Sequence, residues 1–283
     1  MPDPSPTVLV TGASSGIGEA TALRLARAEW PVVATARQLE SIRHLADAGC
    51  FIAALDVADE ASLPEVVADI AAKHGPVGVL INNAGYSQSG ALEMLPMAKL
   101  RAQFDTNVFG LMRLTQLVLP GMRAQGWGKI VNLSSMGGKL AYPGGGAYHA
   151  SKHALEALSD ALRFEVAGFG IDVIVVEPGL VRTRFAEAAV VSMDHVTDAA
   201  PYADFDAAVA RATVGAYRDG GLAGWLVGTP DDVARAIQRA IAARRPRARY
   251  RVAGAGLFIA ARRILGDRGW DAIMRRIYPR PGR

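Results

Sequence analysis

The sequence has few features of a secreted or membrane-embedded protein. Cys50 is the only cysteine in 283 residues, which excludes an internal disulfide and suits a reducing compartment. Residues 1–4 have neither a basic start nor an apolar core, so we predict no signal peptide. No apolar run reaches the roughly 20 residues that cross a bilayer. These absences favour a cytoplasmic protein.

Metal-binding patterns and linkers are also missing. The histidines are His44, His74, His149, His153 and His195. They are scattered, and the two that share a predicted helix lack a third ligand, so we predict no metal site. No repeat or low-complexity linker divides the chain, and 51% of its residues are hydrophobic. We therefore predict one domain over residues 1–283.

Short apolar strands alternate with helical patterns along the chain. Strands are predicted at residues 7–10, 31–37, 51–55, 77–81 and 171–176. This alternation predicts an α/β fold with a doubly wound, mostly parallel sheet in three α/β/α layers.

A glycine-rich turn directly follows the first predicted strand. Residues 11–18 read Thr-Gly-Ala-Ser-Ser-Gly-Ile-Gly, and a helix is predicted over residues 17–29. Glycine lets the backbone approach a pyrophosphate, and a helix N-terminus favours its negative charge. A tight connection is the structural alternative, but the position after the first strand favours a phosphate-binding turn.

A Tyr-x-x-x-Lys pair, Tyr148 and Lys152, lies on a later predicted helix. Its apolar positions are Leu155, Leu158, Leu162 and Val166, and Gly168 offers a stop. Residues four apart share a face, so the ammonium is expected beside the phenol, where it lowers a pKa that starts near 10. Activity near neutral pH requires about 4 kcal/mol of such stabilisation. A desolvated pocket and an oxidised nicotinamide ring would have to assist; an exposed pair on a solvated helix is the alternative.

With these motifs the chain resembles the short-chain dehydrogenase/reductase family, classical type, from residue 7 to about residue 253. The glycine turn matches residues 11–18, and an Asn-Asn-Ala-Gly run matches residues 82–85. The matched catalytic residues are Asn107, Ser135, Tyr148 and Lys152. The resemblance implies a Rossmann fold and hydride transfer between a nicotinamide cofactor and an alcohol or ketone.

The resemblance also implies a role for each catalytic residue. Tyr148 would give or take the hydroxyl proton, and Ser135 would hydrogen-bond the substrate oxygen. Lys152 would lower the Tyr148 pKa and hydrogen-bond the nicotinamide ribose, while Asn107 would hold a water that links Lys152 to solvent. The structural alternatives are a turn-capping Ser135, with Ser134 as an equally available hydroxyl, and an Asn107 amide that satisfies its own helix backbone.

The cofactor contacts follow from the same resemblance. They would be Gly12, Ser14, Ser15, Gly16, Ile17, Gly18, Arg37, Asp56, Val57, Asn83, Ala84, Gly85, Tyr148, Lys152, Pro178, Gly179, Val181 and Thr183. Asp56 would accept from the adenine amino group, with a turn-capping role as its alternative. Thr183 or nearby amides would hold the carboxamide.

The end of the second predicted strand bears on the choice of cofactor. Ala36 and Arg37 stand where an acid would bind the adenosine ribose of NAD. No carboxylate repels a 2′-phosphate there, and a guanidinium is available to pair with it. We therefore predict NADP(H). NAD(H) is the alternative, because Ser15 stands where phosphate-preferring relatives carry a base.

Residues 184–227 are predicted to form a substrate lid, with an ordinary insertion as the alternative. Their large apolar side chains include Phe185, Val190, Val191, Met193, Tyr202, Phe205, Tyr217, Leu222 and Trp225. The predicted substrate contacts are Tyr86, Ser135, Met136, Tyr142 and Tyr148, with Leu140 as a further wall. We therefore predict a hydrophobic secondary alcohol or ketone, such as a steroid-like, retinoid-like or long-chain lipid compound.

Positive charge is concentrated near the end of the chain. Residues 244–283 hold twelve arginines and two acids, a balance of +10, whereas the rest of the chain carries −6. Residues 254–283 predict a basic extension of two short amphipathic helices, broken near Gly266 and Gly269. The extension could dock on the body or a partner subunit, contact an anionic membrane peripherally, or bind nucleic acid. The last is not expected.

The sequence thus predicts an NADP(H)-dependent oxidoreductase that uses Tyr148 as general acid or base. A catalytically silent NADP(H)-binding regulator on the same fold is the alternative. The intact catalytic set favours the enzyme, since a silent protein has no chemical need to retain it. The resemblance also implies a homodimer or homotetramer, assembled through helices at about residues 99–122 and 148–167.

Overall fold

The computed structural model describes residues 5–193, 201–217 and 226–281. Its strands are β1 Val8–Val10, β2 Val32–Ala36, β3 Phe51–Ala54, β4 Val79–Asn82, β5 Gly128–Leu133, β6 Ile171–Pro178 and β7 Arg249–Val252. All pair in parallel in one seven-stranded sheet, ordered β3-β2-β1-β4-β5-β6-β7. The strand order reverses between β1 and β4. In open α/β sheets, ligands bind at such a switch, beyond the carboxyl ends of the strands.

Helices cover both faces of this sheet. In the described ranges they are α1 Gly16–Arg27, α2 Arg43–Asp47, α3 Leu63–His74, α4 Met97–Phe104, α5 Gly110–Ala124, α6 Gly146–Val166, α7 Phe185–Val191, α8 Ala203–Ala216, α9 Pro230–Ala242 and α10 Ala255–Ile277. Apolar residues of α1, α2 and α9 pack on one face of the sheet, and those of α3, α5 and α6 pack on the other.

The strands are apolar on both sides because both faces are covered. In β1, Val8 and Val10 join the core on the α1 face, whereas Leu9 joins the core on the opposite face. All three side chains are fully buried. The predicted three-layer, doubly wound Rossmann fold is confirmed.

Two details of the predicted elements differ from the structure. Gly168 is not the stop of the catalytic helix: α6 ends at Val166, and a 3-10 turn leads to Gly170, which has a left-handed backbone with φ 73°. A left-handed residue ends a helix, and glycine adopts that conformation most easily. Strands β5 and β7 were not among the strands predicted from sequence.

Strand β7 is held at the sheet edge by buried ion pairs. Arg249 donates to the Glu156 carboxylate on α6 at 2.8 Å, and its Nε lies 3.2 Å from Glu177 on β6. Arg251 also donates to Glu177, at 2.8 Å. Because both glutamates are buried, these pairs tie the last strand to the catalytic helix.

The basic C-terminal extension docks on the body of its own chain. Helix α10 breaks at Gly266, where φ is 57° and ψ is −170°, as predicted; the break predicted near Gly269 is wrong, because that residue is helical. Trp270 and Met274 are buried against a cluster that contains Met136. The indole nitrogen of Trp270 donates to the Ala141 carbonyl at 3.0 Å.

The outer side of α10 stays exposed. Ile264 is 84% exposed, and Leu257, Leu265 and Ile277 are also exposed. Among the described helices, none is both long and apolar enough to span a bilayer.

Candidate active site

A cleft of about 1190 Å³ opens beside the switch between β1 and β4. Its walls come from the glycine turn, from the carboxyl ends of the strands, and from α6, α7, α8 and α10. Pockets for single small ligands usually enclose roughly 300–1,000 Å³. This cleft can therefore accept a ligand of dinucleotide size.

Most of the sequence-predicted site residues meet in this cleft. The lining residues include Gly12, Ser14, Ser15, Gly16, Ile17, Arg37, Asp56, Val57, Asn83, Ala84, Gly85, Tyr86, Ser135, Met136, Tyr142, Tyr148, Lys152, Pro178, Gly179, Val181 and Thr183. Gly18 and Asn107 lie behind the walls instead. Gly18 packs against Gly12 and Asn83, and Asn107 is hydrogen-bonded to Tyr86.

The glycine turn leaves no room for side chains. A Cβ on Gly12, whose φ is +66°, would lie 2.8 Å from the Ala84 Cα. A Cβ on Gly18 would lie 2.3 Å from the Gly12 carbonyl oxygen and 2.4 Å from the Asn83 amide nitrogen. That nitrogen donates to the carbonyls of Thr11, at 2.9 Å, and Gly12, at 3.0 Å. The turn after β1 and the loop after β4 therefore fix each other.

The turn also suits an anion. Ser15 is the N-cap of α1, but its side chain makes no capping hydrogen bond to the helix. The first amides of α1 are therefore not satisfied by that side chain and lie at the cleft wall. A pyrophosphate fits this cradle of glycine backbone and helix N-terminus.

The ends of β2 and β3 carry the predicted adenosine contacts. Arg37 is exposed at the cleft. Asp56 Oδ1 accepts from the Ala58 backbone nitrogen at 3.0 Å, so the turn-capping alternative for this aspartate is present in the structure. Val57 is buried beside it.

Ser135 and Tyr148 are brought together at the centre of the cleft. Burial raises the pKa of Tyr148 to about 12, and its hydrogen bond with the Ser135 hydroxyl lowers that pKa. Ser135 Oγ also accepts from the Gly137 backbone nitrogen at 3.0 Å and so caps a 3-10 turn. The neighbouring Ser134 hydroxyl is buried without a hydrogen-bond partner in the described part of the chain. Ser135, not Ser134, therefore contacts the tyrosine.

Lys152 lies on the same helix face as Tyr148. Its Nζ is 5.8 Å from the tyrosine ring centroid and donates to the Leu133 carbonyl at 2.6 Å. Burial lowers the pKa of Lys152 to about 8, while the negative charge of Glu156 raises it. The predicted lowering of the Tyr148 pKa is wrong for the protein groups alone, because desolvation of the phenol outweighs the hydrogen bond with Ser135.

Asn107 holds the loop after β4 against the catalytic helix. It lies in a π-helical turn, Asp105–Phe109, that joins α4 to α5. Its amide nitrogen donates to the Tyr86 carbonyl at 3.0 Å and to Ser151 Oγ at 3.1 Å, and its oxygen accepts from the Tyr86 nitrogen at 3.1 Å. The alternative that Asn107 satisfies its own helix backbone is wrong.

Gly85 explains how Asn107 and Lys152 come close. A Cβ on Gly85 would lie 3.0 Å from Asn107 Oδ1 and 3.6 Å from Lys152 Nζ. Only a residue without a side chain leaves this space between the two groups open. The predicted water link through Asn107 stays a prediction.

The loop after β6 closes the other side of the cleft. Gly179 passes so close to the next segment that a Cβ would lie 2.0 Å from the Ala253 carbonyl oxygen. Val181 pairs with Gly228 in a short parallel bridge. Thr183 Oγ1 accepts from the Phe185 nitrogen at 3.1 Å and so holds the start of α7.

The far end of the cleft is lined by aromatic and aliphatic side chains. The Phe185 ring lies 5.3 Å from the Tyr148 ring. Sequence reasoning missed His149, Phe258, Ile277 and Tyr278 as wall residues, whereas Tyr217, which lines the cleft, was among the predicted lid residues. It also placed Leu140 in the wall wrongly, because that side chain is buried beneath α10. The lid residues Leu222 and Trp225, like His195, lie outside the described residues.

The wall contributed by α10 had no signal in the sequence. Its apolar residues alternate with arginines as in any amphipathic helix. Which surface they cover depends on the fold of residues far away in the chain.

Within the described ranges, no group of three or more His, Cys, Asp or Glu side chains could hold a metal ion.

Comparison with known proteins identifies the family. The model of the short chain dehydrogenase family matches residues 6–193, more than half of the chain. The chain therefore belongs to this family. An uncharacterized oxidoreductase of Bacillus subtilis, YusZ, is 44% identical over 183 residues, which are 62% of this chain and 65% of that protein. The match thus spans slightly less than two thirds of that relative's length.

Other relatives include one that is named for its substrate and one of known structure. A 3-ketodihydrosphingosine reductase of Bacteroides thetaiotaomicron is 39% identical over 184 residues, covering 64% of this chain and 65% of the relative. A short-chain dehydrogenase of known structure from Streptomyces avermitilis is 34% identical, with a TM-score of 0.76, and the match covers 96% of this chain and 98% of that one.

Two solved relatives contain nicotinamide cofactors. A serine dehydrogenase complexed with NADP+ is 30% identical, with a TM-score of 0.74 and coverage of 87% and 94%. A family member from Burkholderia phymatum in complex with NAD is 28% identical, with a TM-score of 0.78 and coverage of 93% and 94%. Nicotinamide cofactor use is thus common to the neighbours, but they differ in which cofactor they carry.

Proposed function

We propose that this protein is an NADP(H)-dependent oxidoreductase that interconverts a hydrophobic secondary alcohol and its ketone. The observation that carries the proposal is the hydrogen-bonded pair of Ser135 and Tyr148, beside the buried Lys152, in a cleft of dinucleotide size. When bound, the cofactor supplies or accepts the hydride. The residues of the chain supply binding, orientation and the proton.

The protonation state of Tyr148 favours one step in particular. With a pKa of about 12, the group is a phenol at neutral pH and can donate a proton to a carbonyl oxygen that is being reduced. Ser135, already hydrogen-bonded to the phenol, is placed to donate to the same oxygen. In the oxidation direction Tyr148 must first lose its proton, which nearby positive charge would assist.

The test of this proposal is the substitution Tyr148→Phe. It removes the proton but keeps the ring, so we expect turnover to fall by about 10²- to 10⁴-fold, with NADP(H) binding retained. Tyr250→Phe, on β7, is the matched control and should keep full activity. NADPH absorbance with a panel of apolar ketones measures turnover. An active Tyr148→Phe enzyme would overturn the mechanism.

The same panel separates the enzyme from a catalytically silent regulator. The regulator predicts that the wild-type protein binds NADP(H) but turns over no ketone or alcohol of the panel. We favour the enzyme because the phenol, the hydroxyl and the ammonium converge in one cleft.

Arg37 supports the preference for NADP(H) over NAD(H). It is an exposed cation at the cleft edge, after the uncharged Ala36. A 2′-phosphate would gain a charge-assisted hydrogen bond there. We expect Arg37→Ala to weaken NADP(H) binding by about 10- to 100-fold without weakening NAD(H) binding. Arg27→Ala, another exposed arginine, is the control; equal loss for both cofactors would refute the assignment.

The apolar end of the cleft supports a hydrophobic substrate. Phe185, Val209, Phe258 and Ile277 line it, and one relative is named for a keto-lipid substrate, 3-ketodihydrosphingosine. Another relative is named for serine, so the names of the relatives disagree. The proposal of a hydrophobic substrate therefore rests on the apolar wall residues. We also propose that α7 and α8 act as the substrate lid. Faster turnover of short polyols than of apolar ketones would contradict the proposal.

Two further contacts are proposed for the surface. The exposed Ile264 and the arginines around it suit peripheral contact with an anionic membrane. In flotation with vesicles that contain anionic lipid, the wild-type protein should float with the vesicles but Ile264→Glu should not; equal behaviour of the two would refute this contact.

Phe164 on α6 is 83% exposed, and we propose that α5 and α6 form a homo-oligomer interface. Phe164→Glu should weaken this interface, as measured by sedimentation.

A further inference from the structure

His149 is built into the wall of the cleft beside the catalytic tyrosine. Its ring lies 5.6 Å from the Tyr148 ring and 5.7 Å from the Tyr142 ring. A Cβ on Gly137 would lie 2.5 Å from Nδ1, and a Cβ on Gly145 would lie 2.6 Å from Nε2. The absence of side chains at both glycines is therefore what makes room for the imidazole.

The hydrogen bond of Nδ1 determines which nitrogen carries the proton. Nδ1 lies 3.3 Å from the Gly137 carbonyl oxygen. A carbonyl oxygen only accepts, so Nδ1 must donate, and Nε2 of the neutral ring then has a free lone pair. Burial lowers the pKa of His149 to about 4. The ring therefore stays neutral at physiological pH, and Nε2 is an acceptor.

Nε2 faces the cleft without a partner. His149 is only 8% exposed and lines the cleft together with Gly145. No residue of the described ranges makes a hydrogen bond with Nε2. The missing side chain of Gly145 leaves this nitrogen uncovered. An acceptor that opens to the cleft in this way can take a hydrogen bond from a donor on a bound ligand.

We propose that His149 Nε2 is a substrate subsite that accepts a hydrogen bond from a hydroxyl group near the reacting carbon. This inference rests on the proposed oxidoreductase function and narrows its substrate to an apolar hydroxyketone, or to the diol in the oxidation direction. A neutral hydroxyl fits better than a charged amine, because glycine backbone and the rings of Tyr142 and Tyr148 surround the imidazole.

The kinetic test compares two apolar ketones of equal chain length, one with a hydroxyl next to the carbonyl and one without. The wild-type protein should prefer the hydroxyketone by about 3- to 10-fold in kcat/KM, through a lower KM. His149→Phe should bring the ratio close to one. His149→Gln, whose amide oxygen reaches about the position of Nε2, should restore part of the preference.

Two more variants separate the subsite from general damage to the fold. Gly145→Ala keeps the imidazole but puts a methyl group 2.6 Å from Nε2, so the ring must shift and Nε2 is blocked; the variant should lose the preference as His149→Phe does. His44→Phe makes the same replacement at an exposed histidine remote from the cleft and should keep the wild-type ratio. A preference that persists in both His149→Phe and Gly145→Ala would overturn the proposal.

A binding measurement separates this proposal from the proposed function. Calorimetry on the NADP+-loaded protein measures the affinity for each ketone without turnover. Tighter binding of the hydroxyketone that is lost in His149→Phe supports the subsite, even if no ketone is reduced. The absence of reduction would refute only the proposed oxidoreductase function. Equal affinity of the wild-type protein for both ketones overturns the subsite, whatever the turnover.

Discussion

The Lys152 ammonium donates a hydrogen bond to the Leu133 carbonyl oxygen across 2.6 Å. This contact joins the catalytic helix α6 to the carboxyl end of β5. It also gives the buried ammonium a hydrogen-bond acceptor, and the negative charge of Glu156, one helical turn away, raises the Lys152 pKa. The position of the ammonium is thus set by the sheet as well as by the helix.

We expect Lys152→Met to abolish activity and to stabilise the fold at pH 7. The folded protein holds a buried ammonium with a pKa of about 8 instead of 10.5, so burial of its charge opposes folding. Removal of the charge should raise the free energy of unfolding by about 1–3 kcal/mol. Lys73→Met, at an exposed helix position, should change it by less than about 0.5 kcal/mol. Urea unfolding measures both variants.

The destabilising effect of the Lys152 charge should decrease as the pH rises. Between pH 8 and 10.5 the unfolded chain keeps this proton while the folded protein releases it. The unfolded state then binds more protons, so wild-type stability rises with pH relative to Lys152→Met. The difference in unfolding free energy between the two proteins should shrink across this pH range. A difference that stays constant from pH 7 to 10 would show that the lysine pKa is not lowered.

Gly18→Ala should disrupt the cofactor turn. The added Cβ would meet the Gly12 carbonyl oxygen at 2.3 Å and the Asn83 side-chain nitrogen at 2.4 Å, so the Gly12 backbone or the helix itself must then move. We expect NADP(H) affinity to fall by at least about 10-fold, since displacement of the turn costs at least about 1.4 kcal/mol of binding energy. Gly168→Ala, where no atom lies within 4 Å of the added Cβ, is the control. Fluorescence titration with NADPH measures both; full affinity in Gly18→Ala would contradict the packing argument.

Trp270→Ala should detach the C-terminal extension from the body. The indole is 92% buried and donates to Ala141, so its loss should cost about 3–5 kcal/mol of unfolding free energy. Its ring also lies 5.5 Å from Tyr142, and a raised KM for apolar ketones is expected with it. Ile264→Ala, on the exposed side of the same helix, should have little effect on either quantity. Thermal unfolding and kinetics together check both expectations.

Arg249→Met should remove one ion pair from each of two buried carboxylates. Glu156 and Glu177 would both lose a guanidinium contact. Because Glu156 keeps Lys139 and Glu177 keeps Arg251, we expect a loss below the roughly 3–5 kcal/mol of a buried charge left without a partner. Arg251→Met, which affects only Glu177 from a more exposed position, should cost less. Equal losses in the two variants would show that the contact with Glu156 contributes little.

Low pH should reduce the stability that Arg249 contributes to the folded protein. Its hydrogen bond lowers the pKa of Asp160 to about 2, from an ordinary value of 3.8. The stability that this pair contributes is fully present above pH 3.8 and is lost as the pH falls through about 2. The difference in unfolding free energy between the wild-type protein and Arg249→Met should therefore decrease from pH 5 to pH 2. Urea unfolding measures it.

The sequence predicts those parts of the fold whose signal is local. The glycine turn, the apolar strands before and after it, and the pair of Tyr148 and Lys152 are each encoded within a few neighbouring residues. Even the break of α10 at Gly266 is predicted, because a glycine interrupts an amphipathic pattern. The choice of Ser135 over Ser134 came from the family spacing.

The remaining features depend on partners that are distant in the chain. Strand β7 carries Arg249 and Arg251, which read as surface charge until the buried Glu156 and Glu177 are placed beside them. The Tyr148 pKa is raised because the phenol is buried in the fold, which spacing along a helix does not reveal. His149 was considered only as a metal ligand, since the two glycines that frame its ring became neighbours through folding.

The π-helical turn at Asp105–Phe109 has a geometric consequence beyond the placement of Asn107. Such a turn contains one residue more than an α-helical turn, so the residues after it are rotated by about 100° relative to a continuous helix. The side of α4 that faces solvent is therefore not continued by the same heptad positions of α5. Deletion of one residue of the turn before Asn107 would realign the two helices and rotate the asparagine amide away from Tyr86.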